Sequence, residues 1–195
     1  MSPSKASTPT GVLFEDDPVE QLEVSLHNNH EQITPPKPTR EYKRKILVWR
    51  NIILFVHLHL AALYGVYLAL TSAKLLTIIW TSVVFHASAL GITAGAHRLW
   101  AHRTYKAKWP LKVILIIFNT IAFQNHVYEW SRDHRVHHKY TETDADPHNA
   151  KRGFFFSHIG WLMCRKHPDV IEKGKGIDMS DLEQDTIVVF QKKYV

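Results

Sequence analysis

The sequence predicts an all-α fold: integral membrane helices with a cytosolic helical cap. Two observations carry this. Residues 52–70 ("IILFVHLHLAALYGVYLAL") and 75–96 ("LLTIIWTSVVFHASALGITAGA") contain no formally charged side chain, and at 1.5 Å rise per residue the shorter run already reaches roughly 28 Å, about one bilayer core. Basic residues also cluster at the outer ends of this pair and are almost absent from the link between them. A soluble protein with buried helices is the plainer alternative, and two uncharged runs of this length argue against it.

Taken in order, residues 1–41 mix Pro, Asn, acidic residues and His without periodicity and close on "PPKPTR". They read as a disordered cytosolic tail, with no cleavable leader expected. The spans at about 52–70 and 75–96 are joined by "TSAK", so their outer ends lie on one side. Lys43, Arg44, Lys45 and Arg50 flank the entrance, Arg98 and Arg103 the exit, and only Lys74 the hairpin. The positive-inside bias therefore places the tail and the cap, from about residue 97, in the cytosol. "LKVILIIFNTIAF" (111–123) is too short to span and is expected at the interface or against the spans. "SDLE" (180–183) is a capping-box pattern ahead of "TIVVFQKKY", whose basic end suits a helix C-terminus near lipid head groups.

The composition narrows the function. The net charge is +6, but Lys and Arg occur in short clusters beside apolar runs, a pattern of membrane anchoring or an anionic small substrate and not of nucleic acid. One cysteine, Cys164, excludes an intramolecular disulfide framework and points to a reducing compartment.

Histidine is the informative residue. "HRLWAH" places His97 and His102 at i, i+5, and "HRVHH" places His134, His137 and His138 at i, i+3, i+4. On an α-helix the second set falls within about 100° of arc, so its three imidazoles can converge on one point. The first pair lies about 140° apart on an ideal α-helix, which predicts that it brackets a helix end or serves two ions. Neighbouring Arg and Lys favour the neutral, metal-binding imidazole. Five clustered histidines exceed a four-ligand structural zinc site, so more than one metal is the simpler account. His27, His30, His57, His59 and His86 are isolated and read as packing or solvated residues.

"GITAGAHRLWAHRTYKA", "WSRDHRVHHKYTETDADPHNA" and "RGFFFSHIGWLMCRKHPDV" resemble the membrane-bound acyl-CoA desaturases of the Δ9 or stearoyl-CoA type, over roughly residues 40–195. The resemblance implies two spans of an expected four and a di-iron centre of two iron ions, with His97, His102, His134, His137 and His138 as ligands. It implies that O2 and two electrons from cytochrome b5 desaturate a saturated fatty acyl-CoA at the endoplasmic reticulum membrane. Around the CoA moiety it places Asn51, Asn125, Arg132, Asp133, Arg165 and Lys166. Phe85 and Ala89, one turn apart on the second span, are expected to close the acyl tunnel.

Two departures stand out. His126 occupies a position that is Asp in the common animal form. The family's two further spans and its third box of the HNxHH kind do not follow before "QKKYV", and His148, His158 and His167 do not reproduce that box. The 195 residues alone are therefore expected to be inactive, which leaves an inactive truncated fragment or isoform, with a membrane- or partner-binding role only, as a second reading. A related histidine-box hydroxylase is a third. Lys192 and Lys193 also match a dilysine retrieval signal for the endoplasmic reticulum.

Overall fold

The chain divides into two units, Met1–Glu41 and Tyr42–Val195, and the computed structural model describes residues 46–195. The expected tail lies outside the described residues. Within them the protein is helical, with no strand and a single isolated antiparallel bridge between Leu47 and Cys164.

The two uncharged runs form the two longest helices, α1 (Trp49–Thr71) and α2 (Leu75–Leu90), and α2 continues without a break into a π-helix, Gly91–Ala101. Both stretches are long and apolar enough to cross a membrane. Neither α1 nor α2 contributes a buried residue: Leu63, Leu70, Leu76 and Trp80 all stand open. Apolar surface of that extent is stable only against lipid or another apolar face.

The remaining helices are short: α3 (Trp109–Ile121), α4 (Val127–Lys139), α5 (Phe154–His158), α6 (Pro168–Lys175), α7 (Ser180–Glu183) and α8 (Thr186–Tyr194). Single 3₁₀ turns at Ala150–Arg152 and Gly160–Met163 flank α5. The buried core belongs to this cap. Ala96, Leu99 and Trp100 of the π-helix pack with Leu115 and Ile116 of α3, Val127 of α4, Met179, Leu182 of α7 and Val188 of α8. Burying such side chains is worth about 1.5–3 kcal/mol each for the larger ones, so the core fixes the end of the second long helix against α3, α4 and α8.

The apolar run at 111–123 becomes α3, which lies against α2 and the π-helix. The approach is closest at Gly91, where a Cβ would sit 2.3 Å from the backbone of Phe118 and Asn119. The segment before α1 is tied down by Val48 N–H to the Met163 carbonyl (2.8 Å) and Arg165 N–H to the Ile46 carbonyl (2.9 Å).

The expected capping box at 180–183 does not form. Ser180 is the first residue of α7 and makes no side-chain cap; its N–H donates to the Asp178 carboxylate instead. Asp185 caps α8, accepting from Ile187 N–H, and also binds Lys112 Nζ (2.8 Å) and Trp100 Nε1 (3.2 Å). A single carboxylate thus joins α8, α3 and the π-helix.

Candidate metal centre

His97 and His102 lie on one face after all, because the segment that carries them is not α-helical. In a π-helix the backbone bonds run i→i+5, and His102 N–H donates to the His97 carbonyl at 2.9 Å. Residues five apart therefore stack one above the other. Their ring centroids are 4.5 Å apart, closer than a 140° separation on an α-helix allows, and the pair brackets a helix end as expected, His102 being the C-cap of the π-helix.

α4 supplies the facing imidazoles. His134 Nε2 lies 2.9 Å from His102 Nε2 and 3.1 Å from His138 Nε2, and its ring centroid is 4.6 Å from that of His97. Trp130, one turn earlier, stacks on His134 at 4.8 Å and donates its indole N–H to Gln124. His97, His102, His134 and His138 thus present four nitrogens close enough to share one ion.

His137 does not join them. Its Nδ1 is 2.9 Å from Asp146 Oδ1, and with Asp146 and His148 it forms a second group with ligand atoms in mutual reach. Convergence of all three box histidines on one point is therefore corrected: i and i+4 share a face, while i+3 is drawn to the carboxylate of the following loop.

Two members of the first group are held towards the neutral form. Burial, followed by repulsion from His138, His97, His102 and His137, pushes the His134 pKa down to about 3. Burial, with His97, His138 and Arg135, also lowers that of His102. Three mutually close Nε2 atoms cannot all be satisfied by one another, since each neutral ring has one donor and one acceptor. Two imidazole nitrogens bound at right angles to a first-row ion, with bonds of about 2.0–2.1 Å, would lie about 3 Å apart. The donor set fits a metal.

Arg135, between the box histidines in sequence, holds the two histidine-bearing helices together. Its guanidinium donates to the Trp100 carbonyl (2.7 Å) and the Ala101 carbonyl (3.2 Å) at the end of the π-helix, and to Asp181 (2.8 Å). Those carbonyls have no helical partner of their own.

A separate cavity of about 490 Å³, lined by none of the four histidines, has walls that include Tyr128, Arg132, Asp133, Lys166, Lys175 and Glu183. Lys166 Nζ bonds Glu129 (2.9 Å) and Asp133 (2.5 Å), and Arg132 bonds the same two carboxylates. Burial would raise the Glu129 pKa, but the Lys166 ammonium and Arg132 hold it below the ordinary carboxylate range. Asn51, Asn125 and Arg165 are not among the cavity walls. Asn51 donates to the Leu162 carbonyl (2.8 Å), and Asn125 is exposed with a left-handed φ of 65°. Phe85 is exposed with its ring edge-on to His86, and the Ala89 carbonyl accepts from the Thr93 hydroxyl.

His126 proves to be the N-cap of α4, its Nδ1 accepting from Glu129 N–H at 3.1 Å. Sequence reasoning passed over Asp146, Glu129, Trp130 and Arg135. "RDHRVHH" offers Arg135 as a residue off the histidine face, while the role of Asp146 depends on how the following loop closes.

Fold and site define a class: a helical protein with two helices of membrane-crossing length, whose cap gathers four imidazoles from two segments to within reach of one another. The chain is a homologue of the acyl-CoA desaturases. It is 64% identical to the acyl-CoA Delta-9 desaturase of Acheta domesticus, with all of this chain and 54% of the relative covered. It is 56% identical to the acyl-CoA Delta12-desaturase of the same organism, again over all of this chain and 54% of the relative. With the stearoyl-CoA desaturase of Capra hircus it shares 54% identity over 95% of this chain and 50% of the relative. The chain spans about half the length of the curated relatives it matches. No family model matches it.

Proposed function

We propose that these residues form part of an oxygen-dependent acyl-CoA desaturase of the endoplasmic reticulum membrane, with α1 and α2 crossing the bilayer and the cap in the cytosol. The observation that carries this reading is the meeting of His97, His102, His134 and His138 at the end of the second of two long apolar helices. The curated relatives, named for desaturation of acyl-CoA, support the same reaction class.

The reaction takes a saturated fatty acyl-CoA, O2, two electrons from cytochrome b5 and two protons to a monounsaturated acyl-CoA and two waters. An unactivated methylene offers no acidic proton and no leaving group, so acid–base chemistry cannot begin there. Iron bound by these imidazoles, two ions in all with His137 as a further ligand, supplies the redox chemistry that hydrogen abstraction requires.

The chain's own residues orient the site. Depressed pKa values keep His102 and His134 in the form that binds metal. Arg132 and Lys166 present cations at the cavity they line, suited to the phosphates of CoA. Asp133 fixes both cations. Asn51, Asn125 and Arg165 are proposed contacts of the same moiety, and Phe85 with Ala89 the far end of the acyl tunnel.

A chimera tests this reading, with these 195 residues replacing the matching segment of the Acheta domesticus Delta-9 relative. In membranes from a host without its own acyl-CoA desaturase, it should desaturate stearoyl-CoA in the presence of O2, NADH, cytochrome b5 and its reductase. His134→Ala should abolish turnover, and Lys166→Ala should raise KM more than it lowers kcat. An inactive chimera beside an active parent, or an active His134→Ala variant, contradicts the proposal.

A further inference from the structure

We infer that Asp146 is a positioning residue for the metal centre: it takes the Nδ1–H of His137 and so leaves Nε2 of that ring as the metal-binding atom. The inference rests on the reading of His137 as a metal ligand.

As a carboxylate Asp146 can only accept hydrogen bonds, so at 2.9 Å from Asp146 Oδ1 the His137 Nδ1 must carry the proton. Only Nε2 then keeps a lone pair. A carboxylate behind a ligating imidazole fixes its tautomer and ring orientation and raises its basicity. The Asp146 side chain is 1% exposed, a placement that a carboxylate without partners would not tolerate.

The loop after α4 is built around this carboxylate. Oδ1 also accepts from His148 N–H (3.1 Å), and Oδ2 from Glu142 N–H (3.0 Å). Glu142 adopts a left-handed φ of 61°, a conformation unfavourable for a side chain of its kind. Asn149, itself buried, closes the loop by donating to the Thr143 carbonyl at 2.8 Å. His148 covers the face of the His137 ring, with centroids 4.0 Å apart. His137 is thus held at one edge by Asp146 and on one face by His148, while His134 and His138 of the same helix carry no carboxylate partner among their hydrogen bonds to other side chains.

A double-mutant cycle separates this role from mere loop organisation. Co(II) is titrated against a competing chelator into the metal-free chain in lipid nanodiscs, following the d–d absorption of the bound ion. Asp146→Asn should weaken Co(II) binding by roughly ten- to a hundredfold and shift the absorption band. In a His137→Ala background the same substitution should have no further effect, because its route to the metal is gone. Equal losses in both backgrounds would show that Asp146 only shapes the loop, and unchanged affinity in Asp146→Asn would overturn the inference directly. Absence of Co(II) binding by the unsubstituted chain would overturn the reading of the site itself, and this inference with it.

Discussion

Gly91 offers the sharpest structural prediction. It opens the π-helix that aligns His97 with His102, and an added Cβ would lie 2.3 Å from Asn119 N and Phe118 C and 2.8 Å from Phe118 Cβ. Carbon contacts settle near about 3.5 Å, so Gly91→Ala must push α3 and the π-helix apart by about 1 Å. The nearest obstacles are backbone atoms, which cannot rotate aside, and the cost should lie at the upper end of the usual overpacking range of about 1–3 kcal/mol. Because the displacement occurs within two turns of His97, it should also disturb the imidazoles facing α4. A misplacement of about 1 Å can cost a hundredfold in a reaction that depends on position. Gly65 provides the control: a Cβ added there would meet nothing within 4 Å, and Ala in a helix interior gains about 0.5–1 kcal/mol over Gly. Unfolding in detergent and Fe(II) affinity of both variants provide the assay. Gly91→Ala should lose stability and metal affinity while Gly65→Ala loses neither, and equal behaviour of the pair would refute the packing argument.

Other outcomes follow from the same geometry. The metal-free protein should lose stability as pH falls from about 6.5 towards about 3, since His134 resists protonation in the fold but not in the unfolded chain; above the ordinary value this contribution is fully present. Melting curves at pH 7.5 and 5 should show the drop, and His134→Asn should reduce it. Arg135→Lys should destabilise by about 2 kcal/mol or more, because an ammonium cannot serve Trp100, Ala101 and Asp181 together; denaturant unfolding that matches the parent would remove Arg135 as the tie. His126→Asp should preserve or slightly raise stability, by up to about 1 kcal/mol, as Asp is a strong N-cap. A loss in that variant's melting temperature would mean that the imidazole is needed for more than the cap.

The long helices were legible because an uncharged run of about twenty residues has few places to go, and the histidine spacing announced a cluster of imidazoles within reach of one another. The helix type was not legible. The π-helix is held at both ends by tertiary contacts, Gly91 against the backbone of α3 and Arg135 on the last carbonyls. The i, i+5 pair was therefore placed on the wrong arc. His137 was misplaced for a related reason, since the loop that carries Asp146 closes through Glu142, Thr143 and Asn149, whose bonds no periodicity reveals. "SDLE" matched a capping pattern, but Asp185, just beyond it, made the cap.

His97, His102, His134 and His138 are proposed to hold a metal ion. Iron K-edge X-ray absorption on Fe(II)-loaded protein tests it most directly, with iron per chain measured on the same samples. Imidazole scattering around the iron is expected, with loss of both the scattering and the bound iron in His134→Ala. Oxygen-only scattering, or iron retained undiminished by His134→Ala, would contradict it.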